Sequence, residues 1–148
     1  MSRIKIKNLD DVLKELERME VENFQVIGEW DGSQHLSHCA QAIQFSMIGY
    51  PIEKPALMQH TIGKLAFHIF NARGYMSHNT NALTPGAPEN KSLDFTQSMQ
   101  RMRSNIIKLL DWDQPLYPHE FYGELSKKEH IRAHSMHFAN HFEKFKFV

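Results

Sequence analysis

The sequence contains a single cysteine, Cys39, in 148 residues. One thiol excludes both a disulfide framework and a cysteine-based zinc finger. Nor is there any run near the roughly 18 uncharged apolar residues needed for a membrane-spanning helix. The opening segment from Met1 to Lys7 carries basic residues without the apolar core of a signal peptide, so a soluble, cytoplasmic protein is the expectation. Charge of one sign is not in excess either, with 17 basic and 17 acidic side chains and a formal net charge of zero. That balance leaves no basic footprint for nucleic acid. Repeats, low-complexity tracts and divider-like linkers are missing, and the length fits one domain over residues 1–148. No segment shows the strict apolar–polar alternation of a strand.

What the chain has instead is histidine: 10 residues, about one in fifteen. Neutral imidazole is the commonest metal-ligating side chain, so these rings are where chemistry is sought first.

Helical punctuation organises the rest. Leu9, Val12, Leu13, Leu16 and Met19 recur at helical spacing after Asn8, giving an amphipathic helix to about Glu20, followed by a connection over 21–29. Asp31 with Gln34 reads as a capping-box variant that starts a second helix, running to about Ile48 before Gly49 and Pro51. Leu36, Ala40, Ile43 and Met47 form one stripe of it, and His38, Ala42 and Phe45 the opposite one, as in a helix enclosed on both sides. A third helix is expected from Ala56 to Arg73, with Leu57, Ile62, Leu65, Ala66, Ile69 and Phe70 as its apolar set and Gly74 ending it. Residues 75–91 form a long loop broken by Pro85 and Pro88. Ser92 is the expected cap of a fourth helix carrying Phe95, Met99, Met102, Ile106 and Leu109. After a loop to Gly123, Ser126 and Glu129 make a capping box for a last helix from about Lys127 to Phe145. Ile4 and Ile6 offer a segment too short to count as a strand, though able to pair. The fold class is all-α, a four-helix core with an extra helix.

The last helix carries His130, His134, His137 and His141, which at 100° per residue fall within an arc of about 60°. Each i, i+4 pair, His130/His134 and His137/His141, can place two ring nitrogens on one metal. Histidines on a helix flank are more often solvated or hydrogen-bonded at the core edge, so a third ligand is needed to strengthen the reading. His35 and His38 on the second helix are the candidates, and His38 is the better placed because it shares a face with Ala42 and Phe45.

These segments resemble the DinB/YfiT-like superfamily of metalloenzymes over about residues 8–145. Trp30 followed by Asp31 and, eight residues after Trp30, His38 is similar to that family's Trp-Ser opening, with Asp31 in place of the capping Ser. His119, Phe121, Tyr122, Gly123, Leu125 and Ser126 resemble its His-Pro-x-Phe-Gly-x-Leu-Thr entry to the last helix, with Glu120 where Pro is common and Tyr122 where Phe is. The stretch from His134 through His137 and His141 to Phe145 matches its final histidine helix. The loop holding Met76 to Asn79 and Pro85 to Pro88 is especially similar to an uncharacterised branch, a domain of unknown function. The resemblance implies a DinB/YfiT-like four-helix bundle with an additional short helix and long connecting loops. It also implies a metal site of His38, His137 and His141; His134 falls where another histidine is common, but the i, i+4 spacing to the closing ligand favours His137.

Three neutral imidazoles leave coordination positions open, as in a catalytic zinc site. Zinc and nickel both suit nitrogen ligands. The resemblance further implies a thiol-dependent transferase acting on small electrophiles, with a low-molecular-weight thiol as cofactor, since ligation stabilises a thiolate. The alternative is a non-catalytic metal- or ligand-binding bundle with a role in stability, sensing or assembly. The expected partner is a small-molecule substrate, not nucleic acid or a membrane. Dimerisation through helix faces is common in such bundles, so a homodimer is carried as an expectation that the sequence itself does not show.

Other residues have two readings each. Cys39 is adjacent to His38 but points about 100° away and reads as core packing rather than a nucleophile. His119 and Tyr122 either reach the pocket as proton donor or substrate contact, or pin their loop to the bundle. His78 and Asn79 either line the pocket mouth or satisfy turn hydrogen bonds. His60 and His68 read as structural or exposed. The eight methionines read as core filler, and Trp112 and Tyr117 as turn-flanking residues.

Overall fold

The structure is a computed structural model that describes residues 3–148, so the first two residues of the Met1–Lys7 segment lie outside it. In chain order it comprises α1 (Leu9–Val21), β1 (Phe24–Val26), α2 (Gly32–Ile48), α3 (Ala56–Met58), a π-helical turn (Gln59–Gly63), α4 (Lys64–Arg73), α5 (Phe95–Leu110), α6 (Lys127–Phe142) and β2 (Phe145–Phe147). The chain is mostly helical, as an all-α reading requires. No helix among the described residues is long and apolar enough to cross a membrane.

Local chemistry starts the helices. The Asn8 side chain accepts from the Asp11 N–H to cap α1. Asp31 and Gln34 form a complete capping box on α2, and Ser126 and Glu129 another on α6. These caps fix where the two histidine-bearing helices begin.

Helices α1, α2, α5 and α6 enclose the main core, in which Val12, Leu16, Ile43, Met102, Ile106, Leu109 and Phe138 are almost completely buried. A smaller apolar cluster of Phe67, Met76, Tyr122, Leu125, Ala133 and Met136 lies where α4 meets α6.

Several expectations are corrected. The last helix ends at Phe142, not Phe145, because Phe145, Lys146 and Phe147 pair antiparallel with Val26, Gln25 and Phe24. The 21–29 connection therefore contains a strand. Phe24 packs its ring against Phe95, Phe145 and Phe147, which gives this two-stranded ribbon its apolar anchor. Asp94, not Ser92, caps the fourth long helix by accepting from the Gln97 N–H, while the Ser92 hydroxyl donates to Asp31.

The 56–73 helix also differs. A π-helical turn interrupts it, and the residues turned inward are Gln59, Gly63 and Phe67. Leu57, Ile62, Leu65 and Ile69, expected as part of its apolar set, face outward and are exposed. The inward face is held close by backbone contact: a Cβ on Gly63 would lie 2.0 Å from the Phe121 carbonyl oxygen.

Candidate metal centre

All four α6 histidines face inward, but the stripe divides in two. His137 and His141, one helical turn apart, meet His38 from α2, with ring centroids 4.8 to 5.0 Å apart. One ligand nitrogen from each of these three rings lies within 4.8 Å of the others. Two nitrogens on a tetrahedral ion at about 2.0–2.1 Å sit roughly 3.4 Å apart, so modest ring rotations bring all three onto one ion. The donor set fits a borderline-soft cation with open positions.

The other two rings go elsewhere. His134 Nε2 lies 2.5 Å from the Ser46 hydroxyl, and His130 stacks on His134 at 6.2 Å. Both His130 nitrogens are buried without a hydrogen-bond partner among the described residues.

Burial keeps the triad neutral. It pushes the His38 pKa down to about 4, with repulsion from His35 and His78 adding to the effect. His137 and His141 are held well below the ordinary histidine range, again by burial first and then by neighbouring imidazoles. Neutral imidazole is the ligating form, so the site needs no deprotonation step near neutral pH.

His141 is oriented from behind. Its Nδ1 lies 2.8 Å from Nδ1 of His35, which leaves Nε2 as the nitrogen free to ligate. Trp30 lies parallel to the His141 ring at 6.1 Å and meets His35 and His38 edge-on. The capping box that begins α2 thus places Trp30, His35 and His38 around one end of the triad.

His38 and His137 open onto a cavity of about 390 Å³. Ala42, Met76, Leu83 and Phe121 supply apolar wall; Tyr50, His78, His119, Glu120, Tyr122 and His134 supply polar groups. Both His78 and Asn79 line it, and the loop bearing them is tied down where His78 Nε2 meets the Tyr122 hydroxyl at 2.8 Å and Asn140 donates to the His78 carbonyl. His119 and Tyr122 also line it, stacked on one another at 4.2 Å. Sequence reasoning passed over Tyr50, treating its neighbours Gly49 and Pro51 only as a helix stop. It also set aside His35, whose three-residue offset from His38 was the available signal.

The remaining candidates take structural places. Cys39 is buried in the main core and burial raises its thiol pKa, the opposite of an activated nucleophile. His60 and His68 are exposed.

The fold and site define a class: a mostly helical bundle with a buried histidine triad opening on a cavity. The chain belongs to the family described as protein of unknown function (DUF1569), whose model matches residues 1–147. No curated protein and no solved structure matches the chain.

Proposed function

We propose that this is a metal-dependent enzyme of the DinB/YfiT-like kind, holding zinc or nickel on His38, His137 and His141 and using a low-molecular-weight thiol against small electrophiles. The observation that carries the reading is the triad's position: its rings converge in the interior, yet two of them form part of a cavity wall. A structural zinc site is closed, whereas a catalytic one keeps a position for substrate or solvent. A bound metal supplies Lewis acidity and lowers the pKa of a coordinated thiol or water. The chain's own residues do the rest. His35 fixes the free nitrogen of His141, Trp30 packs against the rings, and the apolar wall excludes water from the entering molecule.

A homodimer is part of the proposal. Leu57, Ile62, Leu65 and Ile69 leave a row of large apolar side chains exposed along α3, the π turn and α4. A second copy covering that row is the simplest way to remove it from water.

The test is conjugation of bacillithiol, mycothiol or glutathione to a panel of small electrophiles by the metal-loaded protein. Turnover that disappears on chelation and returns with metal supports the enzyme. Stoichiometric metal with no turnover across the panel favours the non-catalytic binding bundle.

A further inference from the structure

The turn from His119 to Gly123 is built more rigidly than a connection between helices requires. His119 and Gly123 exchange both backbone hydrogen bonds, at 2.9 and 3.0 Å, with Gly123 in the left-handed region at φ 76°. From the π-helical turn, Gln59 donates its side-chain amide to the carbonyls of His119 and Glu120, and the Lys54 N–H donates to the Glu120 carbonyl at 2.8 Å. π-helical turns are found disproportionately at functional sites.

Inside this turn the His119 ring has one allowed protonation state. Its Nδ1 accepts from the backbone N–H groups of both Phe121 and Tyr122, each at 3.1 Å. A nitrogen accepting two N–H bonds carries no proton, so the ring is neutral and its single N–H is on Nε2. Burial, with repulsion from His134 and His130, favours the same neutral form. Nε2 has no hydrogen-bond partner among the described residues, and Tyr122 and Tyr50 hold the ring at 4.2 and 5.2 Å in the cavity wall. This is a fixed donor awaiting an acceptor.

The surroundings decide which acceptor. No lysine or arginine lines the cavity among the described residues. Glu120 adjoins His119 with one carboxyl oxygen buried and unpartnered, which disfavours an anion beside it. Around His119, in the metal-free cavity, a neutral oxygen on a largely apolar molecule fits better than a carboxylate or phosphate.

We propose that His119 is the donor of a subsite for a neutral carbonyl oxygen, so that the molecule entering the cavity is an aldehyde, ketone or ester. This deepens the proposed function, resting on it for the identification of that molecule as the electrophile.

Two substitutions separate the donor from the turn. In His119→Asn the amide oxygen takes over the place of Nδ1 and accepts the turn's N–H groups, as in an Asx turn, but no group replaces Nε2. In His119→Gln the amide nitrogen occupies the place of Nε2 and restores a donor. The probes are acetophenone, α-methylstyrene (a methylene in place of the carbonyl oxygen) and benzoate, titrated by ligand-observed NMR into the full-length chain as purified and after chelation. One hydrogen bond's worth of preference for acetophenone over α-methylstyrene, roughly five- to tenfold, is expected in the wild type, lost in His119→Asn and partly kept in His119→Gln. Benzoate binds the chelated protein more weakly than acetophenone. Nitrogen NMR of the labelled histidine finds the proton on Nε2 in the wild type, a readout that needs no variant to fold.

No preference in the wild type, no binding of acetophenone, the same preference in His119→Asn, tighter benzoate in chelated protein, or a proton on Nδ1 overturns the proposal. Because the chelated protein gives the answer, failure here leaves metal binding by the triad untouched. Failure of the triad to bind metal likewise leaves this result standing.

Discussion

His35 on α2 and His141 on α6 meet nitrogen to nitrogen, Nδ1 to Nδ1, at 2.8 Å in the buried interior. One of the two nitrogens must donate and the other accept. If His141 ligates through Nε2, its Nδ1 carries the proton and His35 is the acceptor, a partner outside the ligand set that fixes the ligand's tautomer and orientation.

His35→Phe therefore keeps a buried ring in place while removing the acceptor. Metal affinity is expected to fall about 10- to 100-fold with the helical content unchanged. Competition against a chromophoric chelator measures it. Unchanged affinity would show that His141 needs no help from behind.

Gly63→Ala sets two effects against each other. Alanine favours a helix over glycine by about 1 kcal/mol. Against this, the new methyl would sit 2.0 Å from the Phe121 carbonyl oxygen, a backbone atom that a side-chain rotation cannot move. The overlap wins, and a net loss of about 1–3 kcal/mol is expected in urea unfolding. A stabilised variant would mean that the π turn and the 119–123 turn do not touch as described.

Acid should destabilise the metal-free protein well before carboxylates titrate. Burial depresses the pKa of His130 to about 4 and of His134 to about 3, against about 6.5 in the unfolded chain. Between those values the unfolded chain binds more protons, so stability rises with pH. The contribution is complete above about pH 6.5 and is lost as pH falls towards 4, each ring giving a slope of up to about 1.4 kcal/mol per pH unit. Urea unfolding at several pH values checks this. A flat profile across that window contradicts the buried, neutral state of these rings.

The exposed apolar row predicts an assembly state. Light scattering after size exclusion should find a dimer, and the double change Ile62→Glu with Leu65→Lys should give a folded monomer. Both side chains are exposed, at 60% and 62%, so the fold itself should lose little. A wild-type monomer at micromolar concentration removes the homodimer from the account.

Legibility in the sequence followed the range of the interactions. Asp31 with Gln34 and Ser126 with Glu129 act over three residues, so two helix starts could be read directly. His137 and His141 are also local, one turn apart, and the face shared with Ala42 and Phe45 pointed to His38, but choosing that pair over His130 and His134 drew on a family resemblance. The ribbon of Phe24 and Val26 with Phe147 and Phe145 was not legible, because three residues carry too little alternation to separate a strand from a helix end. The outward face of Leu57, Ile62, Leu65 and Ile69 was hidden for a different reason. Periodicity shows that apolar residues share a face but not which face packs, and here Gln59, Gly63 and Phe67 pack inward. The His35–His141 contact spans 106 residues and leaves no trace in local spacing.

The central claim is that one ion is held by His38, His137 and His141. Its most direct test is elemental analysis of protein purified without an affinity tag, comparing the wild type with His38→Ala, His137→Ala and His141→Ala, and with His60→Ala and His68→Ala as exposed controls. The account predicts about one zinc or nickel per chain in the wild type and both controls, and loss of metal in each triad variant. Stoichiometric metal surviving all three triad changes would contradict it.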